Sequence, residues 1–201
     1  MTQRIVVATR NRGKLREIIP LLAGLDIDLC TIDELAPDAE LREDGVTFEE
    51  NALAKARQAA QATGLPAIAD DSGLEVDALA GAPGVYSARY AGLPSDDARN
   101  NAKLIAALAA LSGGPHAGRF RCVATFVDPA RGLELVRSGS CEGQILSVPR
   151  GDSGFGYDPL FLLPTLGLTM AELSLEEKNR RSHRAGAFRA LAAALREATH
   201  Q

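Results

Sequence analysis

Apolar positions follow two rhythms along this chain, one of period two and one near 3.6. Ile5-Val6-Val7-Ala8 is a short unbroken apolar run with a break after it, predicting a buried strand over residues 4–8. Leu15, Ile18, Ile19 and Leu22 then recur at helical spacing and predict a helix over 14–22. Pro20 should kink or shorten that helix, and Gly24 should close it. Residues 27–31 alternate and read as a second strand, whereas 33–46 are acidic and aperiodic. Thr47-Phe48-Glu49-Glu50 is a capping box, in which hydroxyl and carboxylate each satisfy an orphan backbone N–H. It opens an alanine-rich helix to about Thr63, ended by Gly64 and Pro66. Residues 67–69 form a short strand running into Asp70-Asp71-Ser72-Gly73.

The second half is more broken. Residues 81–95 are rich in turn formers, and Ser95 or Asp96 starts a helix through Leu111, stopped by Gly113-Gly114-Pro115. Residues 119–127 and 133–141 predict a hairpin around Asp128-Pro129-Ala130-Arg131-Gly132. A glycine-rich stretch over 151–159 follows. Ser174-Leu175-Glu176-Glu177 is a second capping box, opening a short helix that ends near Arg181-Ser182-His183-Arg184. A last alanine-rich helix carries Phe188, Leu191 and Leu195 on its inner side. Strands and helices alternate early and a hairpin comes late, so the fold class is α/β, a mixed β-sheet flanked by helices.

Bulk properties narrow the function classes. At 201 residues, 46% hydrophobic and 24% charged, the chain can bury a sizeable core as one domain, or one domain in two lobes. No stretch of eighteen apolar residues exists, and the first apolar run is too short for a signal-peptide core, so no membrane association is expected. A net charge of −4 lacks the basic footprint of a nucleic-acid binder. Any phosphate must therefore meet a few placed cations. Cys30, Cys122 and Cys141 are widely spaced and read as core thiols of a reducing, cytoplasmic setting. His116, His183 and His200 do not cluster, so a hard ion on carboxylates is a better expectation than zinc.

Several polar groups could carry chemistry, each beside a plainer reading. Thr9-Arg10-Asn11-Arg12-Gly13-Lys14 joins a strand to a helix start, where free N–H groups and the dipole favour an anion. A solvated surface turn would look the same. Asp70 and Asp71 are poor strand formers and good ligands for an ion such as Mg²⁺, with an acidic surface turn as the alternative. Glu43 is the natural second carboxylate, with Asp44 competing. Asn51 and Lys55 share a helix face, which by itself reads as solvated surface. Aromatic residues are only 4% of the chain, yet Phe155 and Tyr157 sit among glycines, as a stacking platform or as core anchors would. Arg184 falls in the first turn of the last helix, where it opposes the dipole, and such local conflicts gather at functional sites.

Taken in order, these segments resemble one family: the noncanonical purine nucleoside triphosphate pyrophosphatases, also called inosine triphosphate or dITP/XTP pyrophosphatases, the Ham1-like family. The matching pieces are Thr9 to Lys14, Glu43-Asp44-Gly45-Val46-Thr47-Phe48-Glu49-Glu50-Asn51-Ala52 with Lys55, and Ala69-Asp70-Asp71-Ser72-Gly73-Leu74. Further along come Gly81-Ala82-Pro83-Gly84-Val85-Tyr86-Ser87-Ala88-Arg89-Tyr90, Gly154-Phe155-Gly156-Tyr157-Asp158-Pro159, and Lys178 with Ser182-His183-Arg184. They spread over residues 4–190; each piece is unspecific, the ordered set is not.

The resemblance implies cleavage of ITP, dITP and XTP between the α- and β-phosphates, with Mg²⁺, by a homodimer. The single domain would span 1–201, elongated and two-lobed around a substrate cleft. Carried over by position, Thr9, Arg10, Asn11, Arg12, Gly13 and Lys14 bind the triphosphate, with Lys55 and Lys178 nearby. Asp71 is the catalytic acid residue, assisted by Lys14 and Lys55. Asp71, Glu43 and Asp70 hold the metal, and Ser72 contacts substrate. Phe155, Gly156, Tyr157 and Asp158 shape the base pocket, and His183 and Arg184 read the base's oxo edge. Some members place a metal-binding glutamate where this chain has Arg42. A Maf-like nucleotide pyrophosphatase and a nucleotide-sensing module are the rival readings.

Overall fold

The computed structural model describes residues 2–111 and 113–199; Met1, Ser112, Gln201 and His200, noted above among the histidines, lie outside them. Seven strands form one mixed sheet in the order β2-β1-β3-β4-β5-β6-β7. They are β1 Gln3–Val7, β2 Ile27–Thr31, β3 Ala67–Val76, β4 His116–Asp128, β5 Leu133–Ile145, β6 Phe161–Leu163 and β7 Leu168–Thr169. β1 runs parallel to β2 and β3, while β6 is antiparallel to β5 and β7. Only four residues separate β4 from β5, which as sheet neighbours can then only form a hairpin. The helices are α1 Arg12–Leu22, α2 Ile32–Leu35, α3 Phe48–Thr63, α4 Asp97–Ala109, α5 Leu175–Arg181 and α6 His183–Thr199.

The chain divides into two compact units. Unit 1 comprises residues 1–71, 122–139 and 183–201, and unit 2 comprises 72–121 and 140–182. In unit 1, Ile5, Val7, Ile18, Leu22, Ile68 and Phe126 pack with Phe188, Leu191 and Leu195 of α6. A second cluster joins Val6, Ala8, Ala56, Ala59, Ala60, Ala67 and Ala69, so the alanine face of α3 lies close against small strand residues. Unit 2 has its own core of Leu74, Val76, Leu104, Phe120, Tyr157, Leu160 and Phe161.

Several boundaries follow from local chemistry. α3 begins at the predicted capping box and ends at Gly64, left-handed with φ 69°. α1 begins two residues earlier than the apolar spacing predicts, because Asn11 caps it. It runs through Pro20 into Leu22, and its cap Ala23 is right-handed, so Gly24 does not close it. Ile19, expected inside, is exposed. The acidic segment after Thr31 is not all irregular, since Thr31 and Glu34 form a capping box for α2. In the Ser174 box only the hydroxyl half forms, with Ser174 accepting the Glu177 N–H.

The largest departure is β3. It continues for ten residues, carrying Asp70-Asp71-Ser72-Gly73 inside the strand instead of at its end. Close packing also fixes the start of α6. A Cβ on Gly139 of β5 would lie 2.3 Å from the His183 carbonyl, so glycine lets the helix that carries Arg184 approach the strand. Cys30 and Cys122 are buried free thiols as expected, whereas Cys141 is half-buried. Burial, then Glu142, pushes the Cys141 thiol up to about 11. Among the described residues no helix is long and apolar enough to cross a membrane.

Candidate active site

In unit 1 the site starts at the loop after β1. Thr9 Oγ1 accepts the Asn11 N–H at 3.2 Å, and Asn11 Oδ1 accepts the Lys14 N–H at 3.0 Å. This cap sets Lys14 in the first turn of α1, where a cation opposes the helix dipole. Its Nζ lies 3.1 Å from Asp70 Oδ2, which offsets that cost. Arg184 reaches the same oxygen through Nε and Nη2, both at 3.3 Å, and its Nη1 donates to Glu17. Arg184, Asp70 and Glu17 are all buried. Burial works against Asp70's charge, but Lys14, Arg184 and Lys55 outweigh it and hold the carboxyl well below the usual range.

Strand alternation sends Asp71 to other partners. Its Oδ2 accepts from Asn51 Nδ2 at 3.0 Å, and its Oδ1 lies 3.8 Å from Lys55 Nζ. Lys55 also binds Glu43, so the lysine bridges the two carboxylates. Burial raises the Asp71 pKa; Lys55 and Lys14 pull it back and Glu43 pushes it up, leaving it above its ordinary value. Burial opposes the Lys55 charge, but Asp71, Glu43 and Asp70 overcome it, so the ammonium is held more firmly than usual. The two adjacent acids are thus shifted in opposite directions, Asp70 down and Asp71 up. Such divergence separates a structural counter-ion from a proton-handling group.

The remaining predicted residues of unit 1 are sequence neighbours of this cluster. Arg10 donates to Asp33 at 2.8 Å and to the carbonyls of Pro37 and Ala39, bracing the segment after α2. Arg12 is exposed, Gly13 is half-buried, and His183 is buried at the start of α6.

The other predicted residues lie in unit 2. Asp158 Oδ2 accepts the Phe155 N–H at 2.8 Å and the Lys178 Nζ at 2.5 Å. Lys178 also stands 4.9 Å from the Phe155 ring centroid, a cation–π contact. A Cβ on Gly154 would sit 2.1 Å from Asp158 Oδ2. Gly156 is held at both ends: its N–H donates to Asp97 at 2.7 Å, and its carbonyl accepts from Asn101 at 2.9 Å. Tyr157 is a core anchor, its hydroxyl donating to the Ser87 carbonyl at 2.8 Å. Ser72 lies half-buried on β3.

The family model that matches this chain, over residues 5–194, is that of the Ham1 family. The chain belongs to the Ham1 family. It is 54% identical over 185 residues to the dITP/XTP pyrophosphatase of Geobacter sulfurreducens, covering 92% of each chain. It is 50% identical over 197 residues to the enzyme of the same name from Yersinia pseudotuberculosis, covering 98% of this chain and 100% of that one. The solved structure of a HAM1 protein from Coxiella burnetii superposes with a TM-score of 0.88 at 43% identity, covering 98% of this chain and 100% of that one.

Against this Ham1 scaffold, the structure changes one reading and narrows others. Asn51 and Lys55 are not solvated helix surface; both are buried against Asp71 and the loop before α3. Arg184, placed against the dipole of α6, is met by Asp70 and Glu17. Of the two readings given for Tyr157, the structure shows the core anchor. Glu17, three residues after Lys14 on the same helical face, is a site residue that the sequence pattern does not single out. The acidic partner that a buried Arg184 demands was the signal for it.

Proposed function

We propose that this Ham1 chain hydrolyses purine nucleoside triphosphates with a 6-oxo base (ITP, dITP and XTP) to the monophosphate and pyrophosphate. That activity would remove them from the nucleotide pool before incorporation into DNA or RNA. Relatives named dITP/XTP pyrophosphatase match nearly the whole chain. The observation that carries the reading is the set of buried Lys55, Asp70 and Asp71 with the half-buried Lys14 in unit 1. Two ammonium groups already balanced by carboxylates can turn to an incoming polyphosphate. They then stabilise charge that builds on the leaving pyrophosphate. Asp71, with its raised pKa, is suited to orient and deprotonate the attacking water.

The donor set fits Mg²⁺. Asp70 Oδ1 is buried and accepts no hydrogen bond from any described residue. Asp71 and the half-buried Glu43 add hard oxygens. Among the described residues no three His, Cys, Asp or Glu side chains form a ready cluster. Mg²⁺ needs only one or two protein carboxylates, the rest being phosphate and water. Asp71, Glu43 and Asp70 would hold it, and it would polarise phosphate oxygens and acidify water. In the same reading Thr9 to Lys14 take the triphosphate with Lys178. Ser72, Phe155, Gly156, Tyr157 and Asp158 serve substrate and base, and His183 and Arg184 its oxo edge. A cytoplasmic homodimer completes the proposal.

The test is a product assay with Mg²⁺ on ITP, GTP, ATP, dUTP and dTTP. Pyrophosphate with IMP from ITP, and much slower turnover of the others, is the expected result. Orthophosphate as the product, or preference for dUTP or dTTP, would favour a γ-phosphate cutter or a Maf-like enzyme. Binding without turnover would mark a sensor.

A further inference from the structure

We propose that Asn51 is a positioning residue: its side-chain amide holds Asp71 on one side and the loop bearing Glu43 on the other, fixing the reactive carboxylate in one orientation. The inference rests on the pyrophosphatase reading above. Asn51 Nδ2 donates to Asp71 Oδ2 at 3.0 Å, and Asn51 Oδ1 accepts the Gly45 N–H at 2.8 Å. Asn51 is 1% exposed, so both bonds are shielded from competing water.

The loop has no slack at this contact. A Cβ on Gly45 would lie 2.8 Å from Asn51 Oδ1 and 2.7 Å from the Glu50 Cβ, so only glycine brings the N–H this close. Asn51 itself is fixed near the capped start of α3, where Glu50 also accepts the Val46 and Thr47 N–H groups. One helical turn on, Lys55 binds Glu43 and approaches Asp71, so the same face of α3 grips the same two partners twice.

An amide is the group this place requires. A hydroxyl or a small side chain cannot reach both partners. A carboxylate would accept from Gly45 but face Asp71 Oδ2 with a second oxygen instead of a donor. Unit 1 already buries Glu17, Asp70 and Asp71 here with Glu43 beside them, against Lys14, Lys55 and Arg184. A further carboxylate would have no cation to meet. With Oδ2 engaged by Asn51, the orientation of Oδ1 is set as well.

Asn51→Asp tests this, because it keeps the shape and the Gly45 bond and replaces the donor to Asp71 with a second carboxylate oxygen. Relative to parent enzyme turning over ITP, kcat should fall about 10–100-fold, the loss common for groups that orient a reactive ligand. KM should stay within about threefold, since substrate contacts are untouched. If that variant does not fold, Asn51→Ala is read by the same criteria. Independently of turnover, the Asn51 side-chain NH₂ resonance, identified by its loss in Asn51→Asp, should shift when Asp71→Asn is introduced. An unchanged kcat in the folded variant, or a loss confined to KM, would overturn the proposal, as would an Asn51 resonance indifferent to Asp71→Asn. Failure of the parent to release pyrophosphate from ITP would instead sink the underlying reading and leave the resonance test to decide the contact.

Discussion

Asp71→Asn should lower pyrophosphate release from ITP by about 10²–10⁴-fold, the range lost when a positioned acid–base group is removed. It should do so without loss of stability. The folded chain raises the Asp71 pKa, chiefly by burial, so the ionised form is the one that folding disfavours. An amide of the same shape removes that burden, and the variant should melt at or slightly above the parent temperature. The pairing of inactivity with undiminished stability is the signature of a group retained for chemistry. Thermal melts beside steady-state assays check both halves. An inactive variant that melts many degrees lower would mean that Asp71 is structural.

Arg184→Met should do the reverse and act first on the fold. Methionine fills much of the same volume but leaves Asp70 without one of its two nearest cations and Glu17 without its partner. Breaking a buried ion pair from one side costs about 3–5 kcal/mol. In a domain of this size that lowers the melting temperature by about 6–20 °C. The deficit should shrink in acid. Asp70 has a lower pKa folded than unfolded, so its stabilising share is present above its ordinary value of 3.8 and is lost as the pH falls below it. Adding Glu17→Leu to Arg184→Met should recover part of the loss, because one stranded carboxylate disappears. A melting temperature for Arg184→Met within about 2 °C of the parent would show that the buried pairs of Arg184 with Glu17 and Asp70 contribute nothing to stability.

How far the sequence reveals the molecule differs from place to place. Thr47, Glu50 and Gly64 announce both ends of α3, because capping is local chemistry between neighbours in sequence. The alternation over 27–31 finds β2 for the same reason. The length of β3 is not local. Asp70 and Asp71 look like strand breakers until Lys14, Lys55 and Arg184 arrive from α1, α3 and α6 to balance them. Asn51 and Lys55 look like a wetted helix face until the loop at Glu43 and Gly45 folds over them. Arg184 stood out as a conflict with the helix dipole, but what resolves it, Glu17, lies 167 residues away. The types of chemistry were therefore visible in residue order, whereas the partner of each charge was set by tertiary pairing.

The same distinction marks what the site needs to do. Asp70 is tied by Lys14 and Arg184, while Asp71 is held by an amide and one lysine, and burial raises its pKa. An attacking water activated at Asp71 should strike the α-phosphorus. Hydrolysis of ITP in ¹⁸O-labelled water, followed by mass spectrometry of the products, tests this directly. Label in the monophosphate with unlabelled pyrophosphate is the predicted outcome; label in the pyrophosphate, or in orthophosphate, would contradict the account.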